Sequence, residues 1–119
     1  MTPPGHSERS QVGHYAEELA VEFLCRNGAR LLARNVKVMG GEIDLVALIE
    51  GEKAAVEVRS VTSPPSGPFP EPHPLDAFDR AKARQVRRLA NALRCPRVDL
   101  VAVRFHSLGV DLHWVKRAA

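Results

Sequence analysis

The stretch GEIDLVALIEGEKAAVEVRS, residues 41–60, constrains this chain most. Its apolar and polar residues interleave in two short runs around Glu50-Gly51, the signal of two strands joined by a tight turn. Side chains alternate across a strand, so Asp44, Val46 and Leu48 are expected on one face, and Ala55, Glu57 and Arg59 on one face of the next strand. A two-residue turn at Glu50-Gly51 sets Asp44 directly opposite Glu57, with Cβ atoms about 5 Å apart. Facing carboxylates destabilise a hairpin unless something positive lies between them, and a divalent cation suits hard carboxylate oxygens. A turn one residue later, at Gly51-Glu52, sets Asp44 opposite Arg59 instead, an ordinary ion pair that needs no metal. The spacing alone leaves both registers open.

The flanking sequence extends the hairpin into a larger sheet. Residues 1–10, rich in Pro, Gly and Ser, are expected as a disordered leader, followed by a single domain over 11–119. Ser10 is a candidate N-cap, and Val12, Tyr15, Ala16, Leu19, Ala20 and Phe23 recur at helical spacing until Asn27-Gly28 supplies a stop. Strands are expected at Leu31–Val38, Glu42–Ile49 and Lys53–Val61, with Gly40-Gly41 between the first two. Six of the nine prolines fall within 62–75, which reads as a stiff exposed loop. A second helix is expected from Asp76 to about Leu93, stopped near Pro96. Strands at Val98–Phe105 and Val110–Val115 follow, joined by a turn at Ser107–Gly109. The order α-β-β-β-α-β-β suggests an α/β fold, with helices flanking a mixed β-sheet, because the second helix returns the chain to a strand beside the hairpin.

Composition excludes several classes. No apolar run approaches the roughly 18 residues of a membrane span, and MTPPGHSERS lacks the apolar centre of a secretory signal. Cys25 and Cys95 are too far apart for a zinc knuckle and too few for a disulfide framework. The cytoplasm is therefore the expected compartment. The net charge of +3 hides a strong asymmetry, since residues 76–97 carry seven Lys/Arg against two Asp. A basic helix on an otherwise slightly acidic chain points to an anionic partner, nucleic acid first among them.

Three further groups carry candidate chemistry. Glu17 lies at the edge of the first helix's apolar stripe, positioned either to look along the sheet or to act as a simple boundary residue. Lys82 falls in the middle of the second helix's apolar face, formed by Leu75, Phe78, Val86, Leu89 and Leu93. A lysine there reaches for a buried anion or snorkels to the edge. Arg80, Arg84, Arg87 and Arg88 cluster on the opposite side, as a phosphate-contacting surface or as a plain solvated face. His14 is expected on the solvent side of the first helix and His6 and His73 in loops, His106 and His113 lack metal-ligand spacing, and there is no Walker loop, Rossmann fingerprint or serine-nucleophile elbow.

These residues resemble the bacterial YraN family of restriction-endonuclease-like proteins, related to archaeal Holliday junction resolvases. The likeness runs from Gly13 to about Val115. It is carried by AEELA at 16–20, RN at 34–35, GEIDLVA at 41–47, VEVR at 56–59, Lys82, and RVDLVAV at 97–103. The resemblance implies a PD-(D/E)xK core in which acids bind Mg²⁺ or Mn²⁺ for phosphodiester cleavage. Matched motif by motif, Glu17 stands for the acid of the first helix, Asp44 for the metal-binding aspartate and Glu57 for the glutamate of the ExK motif. The backbone carbonyl of Val58 is then a further ligand. Ala16 stands where the family often has glycine. Arg59 occupies the ExK lysine position, and arginine stays protonated and cannot act as a base.

The expected function is thus a metal-dependent nuclease-like protein acting on structured or branched DNA, with Asp44, Glu57, Arg59 and Lys82 as catalytic candidates. DNA is the expected partner, no membrane is involved, and homodimerisation is left open. The alternatives are a nucleic-acid-binding module on the same fold that has lost cleavage, and a protein–protein adaptor that docks through its basic helix.

Overall fold

The computed structural model describes residues 4–62 and 78–119, and the expected proline-rich loop falls largely outside them. The elements are α1 (Pro4–Arg26), β1 (Arg30–Val38), β2 (Gly41–Ile49), β3 (Glu52–Thr62), α2 (Arg80–Ala92), β4 (Arg97–His106) and β5 (Gly109–Val115). The expected α/β order, α-β-β-β-α-β-β, is the observed one, and every expected strand is found within one residue at each end.

Two corrections concern the helices. α1 begins at Pro4, six residues ahead of the expected Ser10 cap, so much of the expected leader is helical. Proline suits a first helical turn, where its missing N–H leaves no bond unmade and its fixed φ is already helical. α2 starts later than expected, with Asp79 as N-cap and its Oδ1 accepting from the Lys82 amide at 2.9 Å. The stop at Asn27-Gly28 is as expected. Ala29 N donates to Leu24 O and Gly28 N to Cys25 O, with Gly28 at φ 92°, the paired closure that a left-handed residue after a helix permits.

Strand order follows chain order, β1-β2-β3-β4-β5. Only β3 and β4 run parallel, because α2 carries the chain back along the sheet. Glu50 and Gly51 have φ of 52° and 80°, a two-residue type I′ turn. Ile49 therefore pairs with Glu52, and the register runs on to Leu45 opposite Val56. The alternative that set Asp44 against Arg59 is excluded. The β1–β2 turn is Met39-Gly40 rather than Gly40-Gly41, with φ of 50° and 78°. Gly41 has another duty, since a Cβ there would lie 2.7 Å from Leu89 Cδ1.

The two faces of the sheet are covered separately. Ala16, Ala20 and Leu24 of α1 pack on Leu45, Ala47, Val56 and Val101. The small alanines let the helix sit close. On the other face Val86, Leu89 and Ala90 of α2 pack on Ile43, Val46, Ala55 and Val98. No helix among the described residues is long and apolar enough to cross a membrane.

A candidate active site where two strands part

The β2–β3 pairing ends at Leu45 opposite Val56. Beyond it the strands diverge, and Asp44 fills the gap, its Oδ2 accepting from Val58 N at 2.8 Å. Asp44, Glu17, Gly13, Ala16, Val58 and Arg59 line a pocket of about 420 Å³ between α1 and the sheet. This corrects the expected shared face of Asp44, Val46 and Leu48. Val46 packs in the cluster under α2, while Asp44 opens to the α1 side.

Glu57 lies beside Asp44 and is only 4% exposed. Its Oε2 takes two cations, Arg59 Nη2 at 2.9 Å and Lys82 Nζ at 3.3 Å. Lys82 thus reaches a carboxylate, as one of the two expected behaviours required. Burial, followed by the hydrogen bond and charge repulsion from Glu57, pushes Asp44 up to about 7, with the Val58 amide and Arg59 pulling the other way. Arg59 and Lys82 both sit on Glu57, whereas the backbone donor to Asp44 is the Val58 amide. Burial also raises the Glu17 carboxyl, an effect partly offset by a hydrogen bond from Asn35 Nδ2 at 3.2 Å.

Of the expected metal ligands, Glu17, Asp44 and Val58 share the pocket wall and Glu57 adjoins Asp44. No group of three His, Cys, Asp or Glu residues able to hold a metal is found among the described residues. The donor chemistry fits an open Mg²⁺ site rather than a protein cage. Such sites use one or two carboxylates and complete their shell with water and substrate oxygens. The fit rests on the Asp44–Glu57 pair, whose mutual repulsion is the unfavourable charge that a dication relieves.

The four helix arginines lie along one groove of α2 with Asn91 and Ala119. Arg80, Arg84 and Arg88 are exposed. Arg87 is half-buried and donates to the carbonyls of Pro96 and Ala119, so it is tied to the protein's own backbone.

A second polar centre was missed in the sequence. Arg97 and Asp99, both essentially buried, form a two-bond pair with Nε–Oδ1 at 3.0 Å and Nη2–Oδ2 at 2.8 Å. Asp99 also accepts from Trp114 Nε1 at 2.9 Å and Arg117 N at 3.1 Å. Four donors satisfy its charge. The only local signal was the i, i+2 spacing of Arg97 and Asp99, which puts both on one strand face.

Residues 16–103 match the model of the uncharacterised protein family UPF0102. The chain is 33% identical over 118 residues to a UPF0102 protein of Chlorobium chlorochromatii, covering 99% of this chain and 86% of that one. It is 36% identical over 110 residues to a UPF0102 protein of Shewanella amazonensis, covering 89% and 96%. A UPF0102 protein of Arthrobacter sp. is 37% identical over 100 residues, covering 77% and 80%. Match and relatives agree with the likeness carried by the GEID and VEVR segments, and the chain belongs to the UPF0102 (YraN) family.

Proposed function

We propose that this protein is a divalent-metal-dependent phosphodiesterase acting on structured or branched DNA. The observation that carries the reading is the pairing of half-buried Asp44 with buried Glu57, with Asp44 raised to about 7 in an open pocket. Asp44, Glu57 and the Val58 carbonyl, with Glu17 at the pocket wall, would hold a catalytic Mg²⁺ or Mn²⁺, which would supply phosphate neutralisation and lower the pKa of a nucleophilic water. The chain's own residues do the rest. Arg59 holds Glu57 in place and presents a permanent positive charge to a phosphate oxygen, without acting as a base. Lys82 reaches the same Glu57 oxygen from α2 and, unlike arginine, has an amine able to pass a proton. It shares the duty expected of the ExK lysine. Arg80, Arg84 and Arg88 give the DNA backbone an exposed basic track.

A second reading, binding without cleavage, is favoured by the two cations already seated on Glu57. A Mn²⁺-dependent cleavage assay on branched, flapped and linear DNA, beside a Glu57→Ala control, decides between them. Cleavage lost in Glu57→Ala supports the enzyme. Salt-sensitive binding with no cleavage supports the binding module, and absence of both returns the basic helix to a protein-docking role.

A further inference from the structure

Five non-glycine residues among those described have positive φ. Met39 and Glu50 sit in hairpin turns, Arg94 follows α2 and Arg117 follows β5. Asn35, at φ 49°, lies inside strand β1. A left-handed residue in a strand is strained, least so for asparagine, and needs a local reason.

The side chains around it supply one. Ala33, Val36 and Val38 pack in the cluster under α2. Arg34 and Asn35, adjacent in sequence, instead both reach α1, pairing with Glu18 and Glu17. Strict alternation forbids that. The break at Asn35 is matched across the strand pair. The register sets Arg34 against Leu45 and Val36 against Ile43, so Asn35 faces Asp44. There Leu45 belongs to the α1-side cluster and Ile43 and Val46 to the α2-side cluster, while Asp44 lines the α1-side pocket. The two strands kink together at the 35–44 pair.

We infer that Asn35 is a positioning residue that assembles the pocket: its left-handed backbone turns Asp44 towards α1, and its amide holds Glu17 against the same space. The consequence for catalysis rests on the function proposed above, whereas the geometric role does not. Regular alternation in both strands would send Asp44 to the α2 side with Val46, leaving Glu17 without its neighbour. Asparagine combines tolerance of positive φ with a side-chain donor, which glycine lacks.

The test separates backbone from side chain. Asn35→Gly keeps the left-handed conformation and removes the amide. Asn35→Val removes both, and Asn35→Ala is the milder version if the valine variant fails to fold. The Val58 amide, bonded to Asp44, reports Asp44's position in ¹⁵N–¹H spectra, with Asp44→Ala marking the released amide. Asn35→Gly should leave the Val58 resonance at its wild-type position, and Asn35→Val or Asn35→Ala should move it towards the Asp44→Ala position. An unmoved resonance in the valine and alanine variants, or an equal shift in the glycine variant, overturns the backbone role. In calorimetry with Mn²⁺, Asn35→Gly should weaken binding by roughly tenfold and have no further effect once Glu17→Gln is present. Additive losses overturn the action through Glu17. Wild-type protein without Mn²⁺ affinity refutes the proposed function, and the Val58 spectra then decide the role of Asn35 alone.

Discussion

Asp44→Asn should make the protein more stable, and more so as pH rises. Burial and Glu57 lift the Asp44 carboxyl from an ordinary 3.8 to about 7. A carboxyl raised in the folded state favours folding fully below its unfolded value, and that contribution is lost as pH climbs through the folded value. The wild type therefore weakens between about pH 4 and pH 7, and the asparagine variant does not share the loss. At about 1.4 kcal/mol per pH unit, the displacement sets an upper bound of about 4 kcal/mol. Asp44 is only half-buried and the denatured chain retains some structure, so about 2 kcal/mol should survive. Asparagine keeps an oxygen for the Val58 amide, so that backbone donor is not stranded. Urea unfolding of both proteins at pH 4 and pH 8.5, without divalent ions, measures it. A variant less stable than wild type at pH 8.5, or a gain equal at both pH values, refutes the electrostatic account of this pair.

Alanine at Arg80, Arg84 and Arg88 should each lower the magnitude of the log K against log salt slope for duplex DNA by about 0.9 if the residue meets a phosphate. Arg87→Ala should instead lower the melting temperature, because its guanidinium is bound to the carbonyls of Pro96 and Ala119. Asp99→Ala, read by urea unfolding, should cost about 3 kcal/mol, because the buried Arg97 keeps only its longer contacts to Glu50 and Glu52. Gly41→Ala should cost about 1–3 kcal/mol in the same assay, since the new methyl meets the buried Leu89 side chain at 2.7 Å.

What was legible in the sequence was local. Alternation and turn residues placed all five strands and, through the two-residue turn, offered the register that sets Glu57 beside Asp44. Helical spacing placed Lys82 on the sheet-facing side, where it meets Glu57. What was not legible depended on partners distant in the chain. The kink at Asn35 and Asp44 breaks the alternation rule from which their faces were read. Arg97 and Asp99 look like two surface charges until β5 brings Trp114 and Arg117 to cover them. Arg87 reads as one of four equivalent arginines until the backbone near Ala119 takes it out of the set.

The chain has one tryptophan, and its indole donates to buried Asp99 while its ring meets Phe23 edge-on at 6.1 Å. Trp114 is thus an intrinsic fluorophore fixed between β4, β5 and the C-terminal half of α1. The pocket lies under residues 13–17, about two to three turns away along the same helix. Its emission should follow the peeling of β5 and the loss of the Arg97–Asp99 pair, and it should stay silent to events at Asp44. Paired with a probe on the exposed Cys25, it gives an energy-transfer ruler for the docking of α1 on the sheet.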